Sequence, residues 1–492
     1  MAYEGGPSVS TRALRGMFWA YGSYVGGRAL VLVATAVLAR LLTPSDFGLV
    51  ALAVVLIGFL EVISDLGLTQ ALVLQDDEDV TERASTVWVV SVLIGLGLSL
   101  IVGALGPAAA GFFDQSDLVV LMPVLGLNLL LRSLGTTHYA LAQKRLDFRT
   151  RTKAELADVG VRACVGIGLA LAGAGVWSLV IGYLVGTTAM TVTLWTLVSW
   201  RPSLRPRRRH LEGMIGYGGA LTGLSIVAAV IGSADDLIVG RVLGAAQLGL
   251  YSIAYRLPEL LIFNLSLVAG AVLFPAMASI DRSALPAAFL RSLRYALMIG
   301  LPLAVGLGIL AEPFVLAVFG EKWRDAAPAM QVMALWALMS PIAIIIGTAY
   351  KSMGRADLLL MLAVPQMLVL IPAILIVAEE GIVAVAACQA AVAIASNVVS
   401  AAIAMRILHF SPGQLWVAAW PPAAAALGMA GVLLPLEAAI SSPWLALLVA
   451  SAAGAVVYGG LLWLIARETL RELFATAFPA RRGSADTVTT RT

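Results

Sequence analysis

This chain has little charge. Only 12% of its 492 residues are Asp, Glu, Lys or Arg, about half the 25% usual in a soluble domain. So few charges cannot coat a soluble globule of this size, which excludes a cytosolic enzyme and a disordered chain. The net charge of +3 leaves no basic surface for nucleic acid. Cysteine is almost absent: Cys164 and Cys388 both sit in apolar runs, so a disulfide framework is not expected. The three histidines, His138, His210 and His409, form no cluster with cysteines or acids that suggests a metal site. No Gly-x-x-x-x-Gly-Lys-[Ser/Thr] occurs, so the chain has no P-loop ATPase of its own. A cleavable signal peptide is not evident either, because Met1–Thr11 is polar and the first apolar run continues to Ala39. The first helix is expected to be retained.

What the chain has instead is hydrophobic sequence, at 60% of residues. A bilayer core about 30 Å thick takes about 20 apolar residues per helix. Fourteen runs meet that need: 17–39, 47–73, 86–107, 118–141, 156–175, 177–199, 214–241, 248–276, 296–318, 328–349, 358–378, 382–405, 415–434 and 443–466. The expected fold is therefore an all-α integral membrane protein. Of the 32 basic residues, 24 fall on the side that bears the N-terminus, including Lys144–Lys153 and Arg201–Arg209. The opposite side holds Arg40, Arg241, Lys322 and Arg324, and the spans hold Arg28, Arg132, Arg162 and Arg256. The positive-inside bias makes the first side cytoplasmic, and an even span count puts both termini there. Pro286–Arg294 and Arg467–Phe478 alternate arginine with leucine and phenylalanine at helical spacing, and both are expected to lie flat on the cytoplasmic surface. The acidic run Asp76–Asp79 reads as a solvated loop, since it lacks the spacing and glycine of a calcium loop.

An internal repeat organises these spans. Arg40-Leu41-Leu42 through Phe47-Gly48-Leu49 matches Arg241-Val242-Leu243 through Leu248-Gly249-Leu250 at an offset of 201. Gly175-Val176-Trp177 pairs with Gly381-Ile382-Val383 near an offset of 206. Spans 1–6 and 7–12 thus form two copies of the same orientation, with spans 13 and 14 added. The expected organisation is a first lobe over 1–200, a basic cytoplasmic linker over 201–213 and a second lobe over 214–410. Spans 13 and 14 cover 411–466, and 467–492 form an amphipathic or disordered cytoplasmic tail. Two such lobes, pseudo-symmetric about an axis along the membrane normal, can open a central cavity to either side in turn. The repeat alone points to a transporter.

The same residues carry a family resemblance. Leu38-Ala39-Arg40-Leu41-Leu42-Thr43-Pro44-Ser45-Asp46-Phe47-Gly48-Leu49 resembles the first outer turn of the Wzx-type oligosaccharide flippases of the multidrug/oligosaccharidyl-lipid/polysaccharide (MOP) superfamily. Asp236 to Arg241, with Leu248-Gly249-Leu250-Tyr251, looks like the second-lobe counterpart. Phe274-Pro275 and the Phe319–Trp323 turn fit the same pattern. Arg145-Leu146-Asp147-Phe148-Arg149, with Gly175-Val176-Trp177, is similar to the colanic-acid and teichuronic-acid exporter branch. The resemblance covers about residues 12–410. It implies movement of an undecaprenyl-diphosphate-linked oligosaccharide from the inner to the outer leaflet of the bacterial cytoplasmic (inner) membrane. It also implies work within capsule, exopolysaccharide or O-antigen export, beside a polysaccharide polymerase and export machinery. No soluble cofactor is implied, because the membrane supplies the lipid carrier.

Ionisable residues inside spans are functional candidates by default. In the resembled family, spans 1, 2, 7 and 8 line the cavity. Arg28, mid-way along span 1, and Arg256 in span 8 are the candidates for holding the diphosphate, since guanidinium grips phosphate oxygens bidentately. Glu61, Asp65, Asp235, Asp236 and Glu259 are the candidate cavity acids, for coupling to H+ or Na+ or for balancing the arginines. Glu61 and Asp65 share a helix face at four residues apart. Asp235 and Asp236 cannot, being about 100° apart. Asp158 and Arg162 read as an intrahelical pair, and Arg132 as a residue that snorkels. Asn128, Asn264, Gln366, Gln389 and Asn397 are polar span residues that could meet sugar hydroxyls or bond between helices. Three other functions share parts of this pattern: a MATE-type drug or cation antiporter, a lipid II flippase, and a membrane polymerase or glycosyltransferase acting on lipid-linked sugars. The last usually carries a large outer catalytic domain, for which no connection here is long enough.

Overall fold

The computed structural model describes residues 26–471, apart from 66, 75–79, 205, 208–228, 356 and 470. Among them every regular element is helical and no strand occurs. In chain order these are α1 (26–41), α2 (Pro44–Asp65), α3 (Leu68–Leu74), α4 (Val80–Phe113), α5 (Leu118–Lys144), α6 (Phe148–Leu171) and α7 (Val176–Leu197). Then come α8 (229–242), α9 (Gly244–Pro258), α10 (Asn264–Ala278), α11 (Leu285–Ile309), α12 (Ala311–Phe314) and α13 (Ala327–Ser352). The last are α14 (Asp357–Val377), α15 (Ile382–Leu408), α16 (Pro412–Ala439) and α17 (Pro443–Ile465).

Eleven helices among the described residues are long and apolar enough to cross a bilayer, so this is a multi-pass membrane protein. Spans 1 and 7 of the sequence reading begin outside the described residues, and α1 and α8 are their described parts. The fifth span falls on α6, which carries Glu155, Asp158 and Arg162 and is not among the eleven. The acidic run Asp76–Asp79 lies outside the described residues, as do most of Arg467–Phe478.

The chain forms two compact units. The first comprises Met1–Arg256, Val318–Ala329 and Met367–Cys388; the second comprises Leu257–Ala317, Met330–Gln366 and Gln389–Thr492. Small residues let helices of the first unit approach closely, the usual device where lipid gives no hydrophobic drive between helices. Gly182 and Gly186, one turn apart on α7, face Gly166 and Arg162 of α6. A Cβ at Gly186 would lie 2.5 Å from Asp158 Oδ1. After α7 the chain crosses back over the start of α4. The Trp200 indole donates to the Thr81 carbonyl (3.4 Å), and the Ser203 amide donates to Ser85 Oγ (3.1 Å).

In the second unit, Pro286–Arg294 departs from the flat surface helix expected of it. It opens the unbroken 25-residue helix α11. Leu285, Phe289 and Leu293 are buried in the core of the unit, and Phe289 stacks on Phe410 at 5.2 Å. The apolar stripe that suggested a membrane surface is covered by protein. The added helices α16 and α17 pack together and against α11, and the Tyr458 hydroxyl donates to the Met298 carbonyl at 2.8 Å.

Candidate functional site

The motif at the first turn of the repeat is a helix start. Thr43 and Asp46 form a reciprocal cap at the N-terminus of α2: the Thr43 amide and hydroxyl donate to Asp46 Oδ2 (2.9 and 2.7 Å), and the Asp46 amide donates to Thr43 Oγ1 (3.3 Å). Pro44 takes the first helical position, where its missing N–H costs nothing. In the second copy, α9 follows α8 at once through Gly244, at φ +84°, a backbone that favours glycine.

These two helix starts cross. A Cβ on Gly48 would lie 1.7 Å from the Ala245 carbonyl oxygen, and one on Gly249 would lie 1.9 Å from the Pro44 carbonyl oxygen. Pro44 and Ala245 are 201 residues apart, as are Gly48 and Gly249. The contact is therefore reciprocal between the copies, and it explains why both carry glycine there. One turn further in, a Cβ on Gly240 would lie 2.3 Å from Leu52 Cδ2.

The repeat arginines extend this crossing. Arg40 Nε donates to the Val318 carbonyl at 3.0 Å, while the Arg241 guanidinium lies 5.3 Å from the Phe112 ring centre. Trp323, fully buried, donates from its indole to the Ala39 carbonyl (2.8 Å) and meets Phe47 edge-on at 5.2 Å. The Lys322 ammonium donates to the carbonyls of Arg40 (3.0 Å) and Leu42. Carbonyls at the end of a helix have no partner within it, and a cation there also meets the negative end of the helix dipole. The Phe319–Trp323 turn is thus the C-terminal cap of α1. Sequence reading found this motif but not its role, because nothing local ties residue 322 to residue 42.

The charged span residues fall into distinct settings. Arg28 is half-buried on α1, and Arg256 is half-buried near the end of α9. Glu259 opens a π turn, Glu259–Phe263, directly after Pro258; proline lacks the N–H that would continue the α-helical ladder. Asp235 is 3% exposed and accepts a 2.7 Å hydrogen bond from the Tyr251 hydroxyl. Asp236 beside it is half-buried. Glu61 on α2 forms an ion pair with Arg132 on α5. The side chain of Asp65 lies outside the described residues.

Arg162 on α6 holds both oxygens of Asp158 (2.8 and 2.9 Å), as their spacing suggests, and its guanidinium lies 4.3 Å from the Tyr183 ring centre. Tyr183 on α7 thus packs against the Asp158–Arg162 pair of α6. Sequence spacing could find the pair within α6 but not the pair between α2 and α5. Tyr251 stands in the second-lobe motif, but its bond to Asp235, sixteen residues away, is not legible there, since only the turn between α8 and α9 brings the two together.

The helical membrane fold with these reciprocal repeat turns is one already seen in solved structures. The chain matches the lipid II flippase MurJ in an inward closed conformation, with TM-score 0.78 at 15% identity over 92% of this chain and 100% of that one. It matches an inward-facing MATE multidrug transporter of the MOP superfamily with TM-score 0.62 at 17% identity, over 78% and 95%. At these identities the likeness is one of fold. Residues 37–328 match the family described as polysaccharide biosynthesis protein, and the chain belongs to that family. Among its relatives is the succinoglycan biosynthesis transport protein ExoT of Rhizobium meliloti, 27% identical over 96% of this chain and 97% of that protein. The teichuronic acid biosynthesis protein TuaB of Bacillus subtilis is 25% identical over 72% and 74%. The lipopolysaccharide biosynthesis protein WzxC of Escherichia coli is 27% identical over 75% and 76%.

Proposed function

We propose that this chain is a flippase that carries an undecaprenyl-diphosphate-linked oligosaccharide from the inner to the outer leaflet of the bacterial cytoplasmic membrane by alternating access. The observation that carries the reading is the reciprocal crossing of Gly48 on Ala245 and Gly249 on Pro44. Two copies of one turn close on each other, and a contact built from both copies is one that a relative movement of the copies would break and remake. The polysaccharide biosynthesis family supports this cargo over a drug, a cation or lipid II. The match to nearly the whole of a succinoglycan transport protein supports transport over polymerisation or glycosyl transfer.

On this reading the chain performs no bond-making chemistry. Arg28 and Arg256 take the two charges of the diphosphate, each with a planar fork of donors. The acids Asp235, Asp236, Glu259, Glu61 and Asp65 supply sites for H+ or Na+, or balance the arginines between cargoes. The crossing lies on the outer side and both termini lie in the cytoplasm, following the positive-inside bias. The product leaves to the outer leaflet, where a polymerase and export machinery take it.

The test is genetic. Loss of the gene is expected to stop polymer export and to leave lipid-linked oligosaccharide on the inner leaflet. Full export without the gene, in a strain with no second flippase, contradicts the reading.

A further inference from the structure

The second unit contains a cavity that none of the charges above explains. It has a volume of about 250 Å³ and lies among the π turn after α9, α13, α14 and α15. Phe263 and Trp336 stack on each other at 5.9 Å between ring centres with a 21° tilt, giving the cavity one aromatic wall. The rest of the lining mixes aliphatic side chains with neutral polar groups and carries no charged residue. Gln366 Oε1 accepts a 2.9 Å hydrogen bond from Ser396 Oγ, which ties α14 to α15. The Tyr350 hydroxyl donates to the Ser400 carbonyl at 2.8 Å. Asn397 donates from Nδ2 to the Ala393 carbonyl at 2.9 Å. Its Oδ1 is buried and meets no donor among the described residues.

That combination is specific. A buried acceptor without a donor is costly to leave unpaired, so a ligand that brings a hydroxyl is favoured there. A flat aromatic wall favours a ligand with an apolar C–H face. The neutral lining gives nothing to a phosphate or a cation. A sugar ring has both required features: C–H groups on one face and hydroxyls around its rim. At about 250 Å³ the cavity is at the small end of ligand pockets, which run from about 300 Å³. It holds one ring rather than a chain. We propose that this cavity, lined by Phe263, Trp336 and Asn397, is a subsite for one pyranose of the cargo. The ring stacks on the aromatic wall and donates a hydroxyl to Asn397 Oδ1. The inference deepens the flippase reading and rests on it: the arginines take the charge common to all carriers, and this cavity reads the glycan.

The test measures binding to full-length protein in nanodiscs. The probes are bare undecaprenyl diphosphate and the same carrier bearing glucose, galactose or N-acetylglucosamine. The protein is expected to prefer at least one glycosylated carrier by about tenfold, which is what one stacking contact and one hydrogen bond supply. Trp336→Ala and Asn397→Leu are expected to remove that preference while binding to the bare carrier stays unchanged. Trp336→Phe keeps an aromatic face and should keep most of the preference, which separates stacking from a folding defect. A preference that survives both Trp336→Ala and Asn397→Leu overturns the subsite, as does equal binding of all four lipids. If none of the four binds, the flippase reading itself fails and the subsite falls with it.

Discussion

Gly48 sits against Ala245 so closely that a methyl group on it would lie 1.7 Å from the Ala245 carbonyl oxygen. The same relation, displaced by 201 residues in each partner, holds between Gly249 and Pro44. No side chain larger than hydrogen fits either position while the crossing is closed. Gly48→Ala and Gly249→Ala each should disfavour the closed crossing by about 1–3 kcal/mol, the usual cost of overpacking. That shifts a two-state equilibrium by about fivefold to somewhat over a hundredfold. Export by a strain carrying either variant should fall by about that factor at wild-type protein levels. Undiminished export would separate the crossing from transport.

Arg28 offers a second test. The residue is half-buried on α1, and the diphosphate reading asks its guanidinium to bind phosphate oxygens with paired donors. Arg28→Ala should abolish export. Arg28→Lys should recover only part of it, because an ammonium is a point charge without the planar fork. Full activity of a stably inserted Arg28→Ala removes Arg28 from the site.

Asp235 and Tyr251 separate structure from coupling. Tyr251→Phe removes the 2.7 Å hydrogen bond to the buried Asp235 carboxylate and should cost about 1–3 kcal/mol of stability, read as a lower unfolding midpoint in detergent. Asp235→Asn keeps an acceptor for Tyr251 but loses the charge. It should unfold near the wild-type midpoint while abolishing any dependence of transport on an H+ or Na+ gradient. An unchanged gradient dependence assigns Asp235 to packing.

Asp147 gives a prediction on the connection between α5 and α6. Its carboxylate caps α6, accepting from the Thr150 amide (3.1 Å) and hydroxyl (2.7 Å). Partial burial pushes its pKa up, but the bonds from Thr150 and the Arg149 amide, with the Lys153 charge nearby, outweigh burial and hold it below the usual carboxylate value. A depressed folded pKa means the cap stabilises fully above the ordinary carboxylate range and fades as pH falls through the folded value. Asp147→Ala should cost about 0.5–2 kcal/mol at pH 7. The difference from wild type, measured by thermal unfolding, should shrink on acidification. A difference independent of pH contradicts this account of the cap.

Much of this architecture is legible along the chain because membrane spans are written in contiguous residues. Length and hydropathy are local, and so is the Arg40/Arg241 repeat. The spacing of Asp158 and Arg162 gave their bond for the same reason. Contacts between distant segments left no such trace. Glu61 with Arg132, Lys322 with Leu42 and Tyr251 with Asp235 join residues whose separation obeys no helical period. Pro286–Arg294 misled for a related reason: an amphipathic stripe shows that a face is covered, not whether lipid or protein covers it. Asn397 was visible as a polar span residue. Its place beside Phe263 and Trp336 on one cavity, on which the proposed sugar contact rests, appears only in the fold.

The central claim is carriage of the lipid-linked oligosaccharide by movement of the two repeats. Its most direct test is the flipping of a fluorescent undecaprenyl-diphosphate-linked oligosaccharide in proteoliposomes, for wild type and for Gly48→Ala, with and without an imposed potential or ion gradient. The account predicts flipping by the wild-type protein, and about tenfold slower flipping by Gly48→Ala. No flipping by the wild-type protein under any gradient, or equal rates for the two proteins, would contradict it.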